Sequence, residues 1–228
     1  MKNNIIKFLS VFNKLLLLTT KGKLILKGIF YRVKIYQDND NTISFNGGNI
    51  KKSIISIKGS GNILECGSIN VDKSSITIRG TNNKIIIKDA VELRSATIII
   101  RGSGCSVEIG YNTTFGGVRI INVGKDNKIS IGDRCLFSDN IEVWASDTHP
   151  VFNEQGEWIN RERPVTIGNG VWVGSRVIIL KGVEIGEGSI IGMGTLVTKS
   201  ISAQAVAVGS PGREIFKGVS WELDYPLQ

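Results

Sequence analysis

An all-β fold of stacked parallel coils, a parallel β-helix, is predicted by two nested repeats in this 228-residue chain and by the scarcity of helical patterning after residue 36. The longer repeat starts at Asp38-Asn39-Asp40-Asn41 and recurs at Gly59-Ser60-Gly61-Asn62, Gly80-Thr81-Asn82-Asn83, Gly102-Ser103-Gly104-Cys105 and Gly124-Lys125-Asp126-Asn127, at spacings of 21, 21, 22 and 22 residues. The shorter repeat begins at Ile167, and Val173, Ile179, Ile185, Ile191 and Val197 follow it at six-residue intervals.

Three hexapeptides make one triangular coil of about 18 residues, with the aliphatic residue of each pointing inward. A coil of 21 or 22 residues is the same coil with three or four residues added at a turn, where Gly and Asn accept a left-handed backbone. One continuous prism therefore explains both periods. The sequence divides into a basic, apolar amino-terminal segment (1–36), the β-helix (37–210) with a protruding loop at about 144–164, and a tail (211–228).

Composition bounds the function. An apolar content of 41% fills a core, and 27 glycines against four prolines suit many short strands and turns. The three cysteines, Cys66, Cys105 and Cys135, lack C-x-x-C spacing, so they read as buried thiols and not as a disulfide framework or zinc knuckle. The net charge of +8 resides in Lys2, Lys7, Lys14, Lys21, Lys23, Lys27, Arg32 and Lys34; the other 20 basic residues are balanced by 20 acidic ones. A neutral body argues against nucleic-acid binding. The leader suits peripheral contact with an anionic membrane surface, or simply caps the solenoid with solvated lysines. Its apolar run is interrupted by lysines well short of a membrane span, and no cleavage site follows it. A cytoplasmic protein, peripheral to the inner membrane face on the first of those readings, is expected.

The repeat stops in the loop, which holds Asp147, Thr148 and His149, the chain's only histidine. A polar loop thrown from a rigid scaffold is where chemistry concentrates. A neutral imidazole can take a proton from a hydroxyl near neutral pH.

The stretch 131–215 resembles the hexapeptide-repeat acetyltransferases, notably the galactoside and maltose O-acetyltransferases and the enzymes that O-acetylate sialic acid or capsular polysaccharides. The matching features are Ile131-Gly132-Asp133, Thr148-His149-Pro150, Arg163-Pro164-Val165-Thr166-Ile167-Gly168, Val171-Trp172-Val173-Gly174-Ser175 and Val208-Gly209-Ser210-Pro211-Gly212-Arg213. The resemblance implies a left-handed helix, a homotrimer with its sites between chains, and acetyl-CoA as donor without a metal. It makes His149 the general base, puts an oxyanion donor around Trp172, and gives Asp147 a supporting role. It also carries over acetyl-CoA contacts to Gly174, Ser175, Met193, Thr198, Lys199 and Arg213.

Departures narrow the acceptor. Simple-sugar acetyltransferases place an asparagine below the histidine, where this chain has Gly116 or Gly117. The loop, with Asn160 and Arg163 as candidate acceptor contacts, is instead similar to the glycan-modifying branch. O-acetylation of a cell-surface glycan or its precursor is the leading expectation; N-acetylation of an amino sugar nucleotide is the alternative, since the same base and donor would serve it. Zinc catalysis of the γ-carbonic anhydrase kind needs three histidines and is excluded by the single one. A non-enzymatic, ice-binding-like solenoid would show threonine ladders in place of the loop and the terminal Gly-Ser-Pro-Gly-Arg motif.

Overall fold

A computed structural model describes residues 15–20 and 22–224, with side chains from residue 22 onward; of the amino-terminal segment (1–36) expected to contact a membrane, residues 1–14 and 21 lie outside the described residues. Every regular element among them is a β-strand, and no helix among them is long and apolar enough to cross a membrane.

The strands stack in parallel as three faces. One face is a nine-stranded sheet that includes Ile54–Ser60, Ser75–Thr81, Thr97–Ser103, Val118–Lys125 and Ile141–Trp144. A second sheet of 15 strands supplies the other two faces, because long strands such as Ile63–Asp72 bend around a corner and pair on both sides of it. Register reproduces the two periods read in the sequence. Thr97 lies opposite Ser75 and Arg119, each 22 residues away, whereas Trp172 lies opposite Ile190, 18 residues away.

Alternation of strand side chains sends every second residue inward. On the nine-strand face Ile35, Ile55, Ile76, Ile98, Ile120, Val143, Ile179 and Val197 follow one another in register as a continuous buried column. The six-residue beat from Ile167 to Val197 is buried throughout and visits the three faces in turn. Each such side chain contributes about 1.5–3 kcal/mol of burial.

The extra residues of the longer coils gather at one edge, where the nine-strand face runs on before turning. There Asp40, Gly61, Asn82, Gly104 and Asp126 adopt positive φ of 52–68°. The residues after them point inward. Asn62 donates from Nδ2 to Asn41 Oδ1 at 3.0 Å, and Asn83 repeats this to Asn62 Oδ1 at 2.9 Å. Each amide also reaches a glycine carbonyl, Gly59 from Asn41, Gly80 from Asn62 and Gly102 from Asn83. These asparagines are buried, so their hydrogen bonds along the axis satisfy groups that would otherwise be costly. Cys105 takes the next place, with Sγ 3.2 Å from the Gly124 carbonyl.

The first coils are built from the leader: Leu15–Thr20 pairs with Val33–Gln37, and Lys23–Tyr31 with Thr42–Lys51. At the other end Gly212–Lys217 folds antiparallel onto Ala205–Gly209, and the Ser202 amide donates to Glu214 Oε1 at 2.6 Å.

Candidate active site

The loop leaves the nine-strand face after Trp144, at the edge that carries the extra residues in earlier coils, and returns at strand Val165–Ile167. Its base is pinned at buried Ala145, whose amide donates to the Ile121 carbonyl (3.0 Å) and whose carbonyl accepts from Asn127 Nδ2 (3.0 Å) and the Arg163 amide (3.1 Å). Beyond the base the chain forms a small hairpin. Phe152 bridges Trp158 antiparallel, and Asn153 and Glu157 close the turn with Gly156 at φ 77°. The Arg161 guanidinium stacks 3.8 Å from the Trp158 ring centre. Glu162 ties the hairpin down by accepting the Lys125 amide at 3.0 Å.

Asn160 organises the whole loop. Its Oδ1 accepts from the Val151 amide (2.6 Å) and Trp158 Nε1 (2.8 Å), and its Nδ2 donates to Asp147 Oδ2 (2.8 Å) and the His149 carbonyl (2.9 Å). A side chain with four internal partners fixes the backbone of His149 and has little left for an acceptor. Asp147 is committed too. Lys181 Nζ lies 2.5 Å from its Oδ2 and also donates to the Asn160 carbonyl at 2.8 Å. Partial burial pushes the Asp147 carboxyl up, but hydrogen bonds from Lys181 and Asn160, with the charges of Lys181 and Arg163, hold it below its ordinary value. Its two hydrogen bonds run to these side chains, and the His149 ring is left exposed, free of hydrogen bonds to other described residues. The ring borders a pocket of about 260 Å³ walled by Pro150, Phe152 and Trp158 from the loop and floored by Val123 and Gly124 from the solenoid.

The remaining site candidates lie elsewhere on the prism. Gly174, Ser175 and Met193 stack at the opposite edge of the nine-strand face; a Cβ on Gly174 would stand 2.8 Å from the Met193 amide, so that edge is closely packed. The Ser175 hydroxyl donates to Asp139, which lowers the Asp139 carboxyl. Thr198 and Lys199 follow strand Leu196–Val197 and lie on the loop side, while Arg213 belongs to the terminal hairpin. Lys199 and Arg213 are exposed and form no ion pair with described residues, whereas Lys217 is held by Glu214 at 3.0 Å. Arg163 packs on Gly182.

Trp172 sits on a third face, away from the loop edge. Its amide is consumed by the Ser189 carbonyl at 2.9 Å, so Trp172's own main-chain NH is occupied by the solenoid ladder. Its ring stays partly exposed and leans on Trp221, 5.9 Å away centre to centre, whose Nε1 donates to the Gly170 carbonyl at 2.7 Å. Gly116 and Gly117 stack under Ser138 at the Ser175 edge and not beneath His149 of the same chain.

Sequence reasoning missed Lys181, Glu162 and Trp221. Lys181 carried one usable signal: it lies 36 residues after Ala145, a whole number of coils once the loop is counted.

Residues 164–199 match the family described as bacterial transferase hexapeptide (six repeats). Galactoside O-acetyltransferase of Escherichia coli (strain K12) is 40% identical over 115 residues, covering 49% of this chain and 54% of that protein. The chain thus spans about half the length of the curated relatives it matches. Two solved structures follow it along nearly its whole length. The polysialic acid O-acetyltransferase OatWY aligns with a TM-score of 0.66 at 26% identity, over 90% of this chain and 93% of that one. The polySia specific acetyltransferase NeuO aligns with a TM-score of 0.64 at 27% identity, over 93% and 89%.

Proposed function

We propose that this hexapeptide-repeat chain transfers an acetyl group from acetyl-CoA to a hydroxyl of a cell-surface glycan or its precursor, with His149 as general base. The observation that carries the reading is the placement of the only histidine, exposed on a hydrogen-bonded loop and bordering a pocket, within a fold that a polysialic acid O-acetyltransferase and a polySia specific acetyltransferase share over nearly its full length.

Acetyl-CoA supplies the activated acyl group as a thioester. The free imidazole of His149 accepts the proton of the acceptor hydroxyl as its oxygen bonds to the acyl carbon; the C–S bond breaks, and His149 returns the proton to the departing sulfur. Asn160 and the Asp147–Lys181 pair hold the loop, and hence the ring, in place. Lys199 and Arg213 have the free positive charge that nucleotide phosphates require. With its amide occupied, Trp172 serves as a wall, and the oxyanion donor comes from a different group.

Because Trp172 and the Ser175–Met193 edge face away from the loop of the same prism, we place the complete site between copies in a homotrimer. Exposed Phe152 (57%), Ile159 (60%) and Met193 (66%) fit such burial. Exposed Lys23, Lys27, Arg32 and Lys34 with Ile29 and Tyr31 on the first coils fit peripheral contact with the inner membrane face.

CoA thiol release with a panel of glycan acceptors tests the reading. His149→Ala is expected to lower acceptor-dependent release by roughly 10²–10⁴. Retention of more than a few per cent of the activity would remove His149 from the role of base.

A further inference from the structure

We propose that Lys58, Arg79 and Arg101 form a track that binds an anionic polysaccharide and leads its hydroxyls to His149; the proposal rests on the acyl-transfer reading and specifies its acceptor. The three residues are in strict register, Lys58 opposite Arg79 and Arg79 opposite Arg101, all outward and exposed on the nine-strand face. Coils rise by about 4.8 Å, so the row repeats at about the length of one sugar residue. The next residue in the same row is Val123, which floors the His149 pocket. The row therefore points at the candidate base.

Cations directly opposite one another across a sheet repel, which costs stability unless a counter-charge intervenes. The three strands carrying them, Ile54–Ser60, Ser75–Thr81 and Thr97–Ser103, contain no acidic residue, and none of the three cations forms an ion pair with described residues. A polymer with a carboxylate on each sugar supplies that counter-charge at the matching repeat. Beside the row runs a column of glycines, Gly59, Gly80, Gly102 and Gly124, each at positive φ, and two carboxylates stand at its ends, Asp38 accepting from the Gly59 amide at 3.0 Å and Glu162 lying against Gly124 beside the pocket. Nucleic acid fits less well, because these strands hold no aromatic residue on which a base could stack.

The test uses the full chain and fluorescently labelled polysialic acid, read by anisotropy, with neutral dextran as control. Wild type and His149→Ala should bind the polymer alike, with affinity falling as salt rises. The triple variant K58Q/R79Q/R101Q should bind at least about tenfold more weakly with a flatter salt dependence, raise KM for the polymer while kcat stays within about twofold, and melt like wild type by circular dichroism. Unaltered polymer affinity in the triple variant, equal binding of dextran, or equally effective displacement by single-stranded DNA at matched charge would each overturn the track. Polymer binding that depends on these three cations without any acetyl transfer would support the track and overturn the acyl-transfer reading alone.

Discussion

Lys181 Nζ stands 2.5 Å from Asp147 Oδ2, and this pair, two residues from His149 along the loop, secures the loop to the following coil. Lys181 is largely covered while Asp147 is half exposed, with side-chain exposures of 13% and 49%, so solvent screens the pair and its contribution to global stability is small, about 1 kcal/mol or less. Its effect is on position. A small displacement of a catalytic group is costly, and Asp147→Asn or Lys181→Met is expected to reduce turnover about tenfold or more while the melting temperature barely moves. The native Asp147 carboxyl titrates below its ordinary value, so the tie is whole at neutral pH and is lost only as pH falls through that lowered value. Tryptic cleavage after Arg161 at pH 7 should be faster in Asp147→Asn than in wild type, and the hydrogen-exchange protection of the loop amides in wild type should fall as pH drops below the usual aspartate range.

Asn160→Ala removes four hydrogen bonds inside the loop and none in the prism. Its loop should become sensitive to protease at neutral pH and its activity should collapse, while thermal unfolding of the solenoid shifts by no more than about 2–4 °C.

Asn62→Ala strikes the interior instead. It deletes an acceptor used by both the amide and the side chain of Asn83, and leaves Asn41 Oδ1 and the Gly80 carbonyl short of donors. A loss of about 2–3 kcal/mol is expected from denaturant unfolding. Asn62→Cys should cost less, because Cys105 already occupies an equivalent place and reaches the Gly124 carbonyl through its thiol.

All three thiols are buried and protonated at neutral pH. Burial is the main cause in each: it pushes Cys66 far up and Cys135 up to about 11, and it raises Cys105 as well. A thiol-specific chromogenic reagent at pH 8 should therefore titrate none in the native protein and all three after denaturation.

The prism was legible because its signal is periodic. Ile167 and its successors recur every six residues, and the 21- and 22-residue spacings return as strand register. The asparagines at the turns were legible only as turn formers; their inward hydrogen-bonded column depends on the adjacent left-handed residue, Gly61 or Asn82, which aims the next side chain at the axis. In the loop, His149 announced itself as a lone histidine, but its neighbours in sequence did not reveal their partners. Asp147 read as a supporting residue and Asn160 as an acceptor contact, and in the structure their hydrogen bonds run to Lys181, to each other and to the loop backbone. Such pairings depend on which coil a residue falls in, and the inserted loop breaks the count by which coils are assigned.

Across the loop the register advances by 36 residues, from Ile129 to Val165 and from Leu136 to Trp172, and strands on either side stay in phase. The insertion therefore enters and leaves the prism without disturbing it: the strands before Ala145 and after Pro164 keep their register, and the buried columns that hold the protein folded run past the loop unbroken.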